Sequence, residues 1–184
     1  FGLLPEGCAD AERAGRRRTG KGVTAIYSSD QQRALQTAGV LRKRLGLRAP
    51  VRRSPQLREM DFGTMTGRPS REAARICPLM KVDSTYVFPK GESYAGVQAR
   101  GLRWMTRLVR RHPRGTVAVV THGGWLRGML AALKGIPLDR CLHGTIPHGV
   151  AARLDVSPAG LRVRVSRGVT IFPATEVDKP ARRR

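Results

Sequence analysis

The sequence predicts an α/β fold, a three-layer sandwich in which a mixed, mostly parallel sheet is flanked by helices. Three observations carry this. Short runs rich in β-branched residues alternate with longer runs of helical periodicity. One of the short runs, Val117 to Thr121, is uncharged and leads directly into His122, Gly123 and Gly124, which open an amphipathic run from Trp125 to Lys134. Near the end, Val150 to Val156 and Leu161 to Val165 read as two strands joined by Ser157-Pro158-Ala159-Gly160, a hairpin signal that makes one edge of the sheet antiparallel.

The elements follow in order. Gly7 to Arg18 reads as a helix with sparse apolar positions, and Thr19 to Gly22 as a turn. Val23 to Tyr27 is a short strand. Ser28, Ser29 and Asp30 are all residues that cap helices. The helix after them runs to Leu45, with Ala34, Ala38, Leu41 and Leu45 at 3–4 spacing on one face and Gly46 as its stop. Val51 starts a further short strand. Leu57-Arg-Glu-Met-Asp-Phe-Gly63 mixes two carboxylates with apolar residues, and Gly63 and Gly67 punctuate it. Arg68 to Phe88 reads as irregular or weakly helical. Ser93 caps a helix from Tyr94 to Arg111, which Pro113-Arg114-Gly115 closes. The strand ending at His122 follows, and Ile136-Pro137 ends the next helix. Residues 1–172 form one domain and residues 173–184 a basic tail. No internal repeat is present.

Composition narrows the class. The chain has 184 residues, enough for one domain with a substantial core. No stretch reaches the roughly 18 apolar residues that a membrane span needs. Cys8, Cys77 and Cys141 are odd in number and far apart, so they match neither a metal-ligand spacing nor a disulfide framework. The net charge is +22, with basic residues clustered at Arg16–Arg18, Arg42-Lys43-Arg44, Arg52–Arg53, Arg110–Arg111 and Arg182–Arg184. Such a surface attracts polyanions, chiefly nucleic acid, by counterion release. No zinc-finger spacing or aromatic stacking strip accompanies it. The chain starts at Phe1 with no intact secretory signal. With the basic charge, this makes an intracellular, mitochondrial location the expectation.

Three residues have similar addresses. Arg33 lies in the first turn of a helix that follows a strand, His122 at the end of a strand, and Glu59 in a loop ahead of two glycines. If both strand ends point the same way, Arg33 and His122 share one rim of the sheet, where ligands of open α/β sheets bind. An arginine fork holds a phosphate through two hydrogen bonds. A histidine hydrogen-bonds a phosphoryl oxygen or relays a proton near neutral pH. A carboxylic acid protonates a leaving oxygen. The helix that starts at Gly123 offers free N–H groups to an anion. Each residue also has a purely structural reading: Arg33 paired with Asp30 or Glu59, Glu59 balancing Arg58, and His122 capping its helix. His112, His143 and His148 read as surface histidines.

Four segments, in this order, resemble the histidine phosphatase superfamily, also called the phosphoglycerate-mutase-like family. Tyr27-Ser-Ser-Asp-Gln-Gln-Arg-Ala-Leu-Gln-Thr-Ala38 resembles its second-arginine motif, and Leu57 to Gly63 its acid segment. Gly91-Glu-Ser93 resembles the turn that starts its later helix, and Thr121-His-Gly-Gly124 its second-histidine motif. The resemblance implies that Arg33 and Gly123 bind the phosphoryl group. It makes Glu59 the general acid or base, and His122 the histidine that stabilises the group in transfer. It implies no metal and no organic cofactor. The short segment from Gly67 to Gly91 is more similar to the phosphatases than to the mutases. The family's Arg-His-Gly motif, whose histidine becomes phosphorylated, is not in this sequence. Leu4-Pro-Glu-Gly7 resembles the segment that normally follows it, so the first strand is missing and residues 1–184 alone are expected to be inactive.

Two expectations result. One is a phosphatase acting through a phosphohistidine on a phosphate-bearing small molecule or a phosphoprotein, with the nucleophile upstream. The other is an inactive basic scaffold in an RNA-containing assembly, such as a mitochondrial ribosomal particle.

Overall fold

The computed structural model describes residues 2–16, 22–144, 146–157 and 160–165. The end of the first predicted helix, most of the Thr19–Gly22 turn, the Pro158-Ala159 step and the tail from Pro173 lie outside them. The elements are helix α1 (Pro5–Arg16), strand β1 (Val23–Ser28), helix α2 (Gln32–Arg44), strand β2 (Arg52–Arg53), helix α3 (Ser70–Ile76) and helix α4 (Tyr94–Arg111). Strand β3 (Thr116–Val120), helix α5 (Gly123–Leu133) and strands β4 (Ala152–Ser157) and β5 (Gly160–Val165) follow.

Strands β2, β1 and β3 form a parallel sheet in that order. The register sets Ser28 beside Arg53 on one side and Val120 on the other. Two further backbone bonds, from Ser54 N to Ser28 O (2.9 Å) and from Ser29 N to Val120 O (3.0 Å), carry the alignment past the strand ends. The rims that feed α2 and α5 are therefore level, which puts Arg33 and His122 at the same edge of the sheet. Strand residues alternate between its faces. Ile26 and Val120 pack against Ala34 and Ala38 of α2. Ala25 and Tyr27 face the other way, into a core with Val97, Trp104 and Leu108 of α4 and Trp125 and Met129 of α5.

The hairpin differs from the predicted single mixed sheet. β4 and β5 pair antiparallel with each other, in their own two-stranded ladder. Among the described residues no strand pairs with the side of β3 turned away from β1. The sequence cannot reveal this, because a hairpin signal fixes only the pairing across its own turn. The consequence is visible in burial: Ala25 to Ser28 of β1 are buried, whereas Val117, Ala118 and Val119 of β3 are only half-buried.

Three local details matter for the site. Ser93 Oγ accepts the Gly96 N–H at 3.0 Å, the predicted N-cap of α4. Gly46 takes φ +62° just past α2, a conformation that favours glycine at a helix stop. The stretch read as irregular or weakly helical contains the short helix α3 and a 3-10 turn, Pro78–Lys81, whose Ala73, Cys77 and Met80 are buried in one cluster with Phe88. These turns are ordered by packing with distant residues rather than by their own periodicity.

Candidate active site

Three segments that are far apart in sequence are stitched together at the level rim. The first is Ser29–Arg33, leading into α2. The second is Leu57–Met60. The third is Thr121–Trp125, leading into α5. Thr121 Oγ1 donates to Leu57 O at 2.9 Å, and Trp125 Nε1 donates to Gln56 O at 3.0 Å. Arg58 grips Asp30 with a two-point fork, Nε to Oδ1 at 2.7 Å and Nη2 to Oδ2 at 2.6 Å. This pairing holds the Asp30 carboxyl below its ordinary range. Arg58 is therefore occupied by Asp30, and Glu59 does not balance it.

Glu59 has a different task. Its Oε1 accepts the N–H groups of Met60 (2.9 Å) and Trp125 (3.3 Å), and its Oε2 accepts that of Gly124 (3.1 Å). The carboxylate thus sits on the N-terminus of α5, where free N–H groups and the helix dipole favour negative charge. One amide at this helix start, that of Gly123, has no hydrogen-bond partner among the described residues.

Arg100 of α4 holds the Glu59 segment from behind. It donates to the carbonyls of Gln56 (2.6 Å), Arg58 (2.8 Å) and Glu59 (3.2 Å) and forks onto the Glu92 carboxylate at 2.8 and 3.1 Å. Sequence reading missed Arg100. Its one signal was its place on α4 in line with the buried Val97, Trp104 and Leu108, on a helix whose other arginines point outward.

His122 is the N-cap residue of α5 in extended conformation, and its side chain makes no capping bond. The structural reading of it as a cap therefore fails. Its Nε2 is buried and has no hydrogen-bond partner among the described residues. Burial pushes its pKa down to about 4, the carboxylates of Glu59 and Asp30 pull it up, and the guanidiniums of Arg33 and Arg100 push it down. The imidazole is thus neutral near pH 7 and lies within the field of all four charges. Arg33 has neither Asp30 nor Glu59 as a partner; among the described residues its guanidinium makes no ion pair.

The other histidines separate in character. His143 and His148 are exposed, as predicted. His112 is half-buried, and its Nε2 lies 2.9 Å from Tyr27 Oη, which also accepts from Arg52 at 2.8 Å. It belongs to the α4–β1 packing, away from the rim.

Beside Glu59 and Gly123 opens a pocket of about 330 Å³, lined also by Phe62, Gly124, Arg127 and Ile146. No group of three or more His, Cys, Asp or Glu among the described residues is arranged to hold a metal ion. The rim therefore offers an arginine without an ion pair among the described residues, a buried imidazole, a helix amide and a fixed carboxylate; of these, Glu59 and Gly123 line the pocket. Such a set suits an anion with three or more acceptor oxygens.

The family model described as "Histidine phosphatase superfamily (branch 1)" matches residues 1–167. The chain belongs to the histidine phosphatase superfamily. Among curated relatives, it is 29% identical over 153 residues to an adenosylcobalamin/alpha-ribazole phosphatase of Escherichia coli, covering 79% of this chain and 74% of that protein. It is 34% identical over 125 residues to a glucosyl-3-phosphoglycerate phosphatase of Mycolicibacterium vanbaalenii, covering 62% of this chain and 55% of that one, little more than half its length. Among solved structures, Bacillus stearothermophilus YhfR superposes with a TM-score of 0.79 at 31% identity, covering 92% of this chain and 86% of that chain. The phosphoglycerate-mutase-like sheet flanked by helices is thus the fold of this domain. No helix among the described residues is long and apolar enough to cross a membrane.

Proposed function

We propose that the full-length protein hydrolyses phosphate monoesters at this rim. The observation that carries the reading is the buried Nε2 of His122, without a partner among the described residues, in the field of Arg33, which makes no ion pair among them. A buried polar atom without a partner calls for one, and a phosphoryl oxygen supplies it. In this reading Arg33 and the Gly123 amide hold the phosphoryl group, and His122 hydrogen-bonds its oxygens as charge shifts. Glu59 moves the proton at the leaving oxygen. Catalysis of this kind depends mainly on positioning and charge stabilisation. The names of the two phosphatase relatives support the reaction class.

The reaction also needs a nucleophilic histidine. His122 matches the family's other histidine, and no Arg-His-Gly occurs in residues 1–184. In this reading a nucleophile-bearing strand would lie along the side of β3 that pairs with no strand among the described residues, beside the half-buried Val117 to Val119. The test is calorimetric titration of the full-length protein with orthophosphate. Binding that Arg33→Met weakens by roughly 10-fold or more, the worth of a charge-assisted bidentate contact, supports the reading. Equal binding by both proteins contradicts it.

A second reading has one observation in its favour. Arg103, Arg107, Arg110, Arg111 and Arg114, on and just after α4, are all exposed, and none forms an ion pair among the described residues. Together they make a basic stripe that suits RNA as a scaffold contact. RNA binding whose log affinity falls steeply with log salt, and which Arg103→Glu with Arg107→Glu abolishes, supports it. Salt-insensitive or undetectable binding removes it.

A further inference from the structure

The segment made of α3 and the Pro78–Lys81 turn is apolar on two sides. Its inward residues, Ala73, Cys77 and Met80, are buried. Ile76, Leu79 and Val82 recur at every third position, so they line up along a second side. They are 51%, 48% and 63% exposed. Val87, between the inward-packed Tyr86 and Phe88, is 61% exposed. Of the large apolar side chains that stand exposed among the described residues, most belong to this one segment. A surface segment normally turns polar side chains to solvent. An apolar outer stripe rimmed by charge marks a surface that something else covers.

The charges say what the cover is. Arg68, Arg71, Arg75, Lys81 and Lys90 stand in this stretch against two carboxylates, Glu72 and Asp83. Both carboxylates are engaged: Glu72 pairs with Arg68, and Asp83 accepts from the backbone N–H and the hydroxyl of Thr85. Arg71, Arg75, Lys81 and Lys90 form no ion pair among the described residues, and all but Lys81 are exposed. The cover is therefore anionic. A second copy of so basic a face is repelled. The exposed stripe is also purely aliphatic, whereas Trp, Tyr and Arg anchor protein–protein contacts and Leu and Val are scarce there. Aliphatic side chains at the acyl boundary, with arginines and lysines on headgroup phosphates, are how a peripheral protein lies on a bilayer.

We propose that the surface of residues 76–87 docks on an anionic lipid bilayer. Ile76, Leu79, Val82 and Val87 enter the acyl boundary, and Arg71 and Arg75 meet lipid phosphates. The inference is independent of turnover at the rim.

The test is co-sedimentation of the full-length protein with two kinds of vesicle, phosphatidylcholine alone and phosphatidylcholine mixed with phosphatidylglycerol. A chain of net charge +22 adheres to any anionic surface at low salt. The apolar contribution is therefore read at about 0.5 M salt, where exposed charges are largely screened. The wild type is expected to bind the mixed vesicles and to keep measurable binding at high salt. The triple variant Ile76→Ser, Leu79→Ser, Val82→Ser loses at least about 10-fold in high-salt partitioning, because three aliphatic side chains no longer enter the bilayer. Arg71→Gln with Arg75→Gln narrows the preference for mixed over neutral vesicles. All five side chains are exposed, so the variants fold, which circular dichroism and Tm verify. Binding that the serine variant matches at both salt concentrations reports charge alone and overturns the proposal. So does a wild type that ignores vesicles, the result expected if an acidic protein covers the stripe. Self-association that the serine variant loses, seen by sedimentation velocity without vesicle binding, assigns the stripe to a second copy and overturns it as well.

Discussion

Gly124 and Glu59 are matched across 65 residues of sequence. The Gly124 N–H donates to Glu59 Oε2 at 3.1 Å, and a β-carbon placed on Gly124 would lie 2.5 Å from Glu59 Oε1. The bare backbone at 124 is what lets the carboxylate rest on the start of α5. The obstructing atom is the tip of a flexible side chain, so the fold can yield where the site cannot.

Gly124→Ala is therefore expected to fold and to catalyse poorly. A displaced carboxylate loses its amide contacts, and a misplacement of about 1 Å in catalytic geometry costs on the order of 100-fold in rate. The stability loss stays within about 2 kcal/mol, the worth of hydrogen bonds to a charged group. Thermal melting and kcat on the same preparation check this. A large fall in Tm with kcat preserved would contradict it.

Glu59→Gln keeps the shape of the side chain and removes the proton transfer proposed for it. With alkyl phosphates, whose leaving oxygen needs a proton, kcat is expected to fall by about 100- to 10,000-fold. With p-nitrophenyl phosphate, whose leaving group departs unprotonated, the fall is much smaller. Equal losses on both substrates would assign Glu59 a structural role only.

Much of this site was legible in the sequence, and the reasons are local. β3 announces itself by an uncharged run of β-branched residues, and the glycines after His122 mark a strand-to-helix turn. Arg33 and His122 follow from that grammar because parallel strands with level ends share a rim. The contacts of Glu59 were not legible: two of its three amide partners lie 65 and 66 residues away. Arg100 and Arg127 were hidden differently. With 35 lysines and arginines against 13 acids, one more arginine on a helix carries no signal of its own. For Arg127 a usable hint was present, since it lies three and four residues after Gly124 and Gly123 and so shares their helix face. That no strand among the described residues pairs with the outer side of β3 was invisible too, because no residue type in a strand reports what lies beside it.

Arg100→Met removes the fork that ties α4 to the carbonyls of Gln56, Arg58 and Glu59 and leaves Glu92 without its cation. The pair is half-buried, so its loss falls between that of a surface pair and a buried one, about 1–3 kcal/mol. At about 2–4 °C per kcal/mol for a domain of this size, Tm falls by roughly 5 °C. Differential scanning calorimetry reads this directly, and an unchanged Tm would show that the fork is ornamental.

Acid should destabilise the fold through His122. Its ordinary pKa of 6.5 drops to about 4 in the folded state. Between those values the unfolded chain binds a proton that the folded chain excludes, so stability falls as pH is lowered from 6.5 and the loss levels off below about 4. The slope from this one group approaches about 1.4 kcal/mol per pH unit at its steepest. Urea unfolding of wild type and His122→Gln from pH 7 to 4.5 isolates the effect. The difference in stability between them should shift steadily against the wild type on acidification. A pH-independent difference would mean that His122 is protonated as readily folded as unfolded.

The most direct measurement is the rate at which the full-length protein and its His122→Ala variant release phosphate from a monoester, with folding of both verified by circular dichroism. The wild type is expected to turn over and the folded variant to lose at least about 100-fold in kcat/KM, as removal of one donor to the transferring group does. An inactive wild type, or a folded variant that keeps full activity, would contradict the assignment of this rim as a phosphoryl-transfer site.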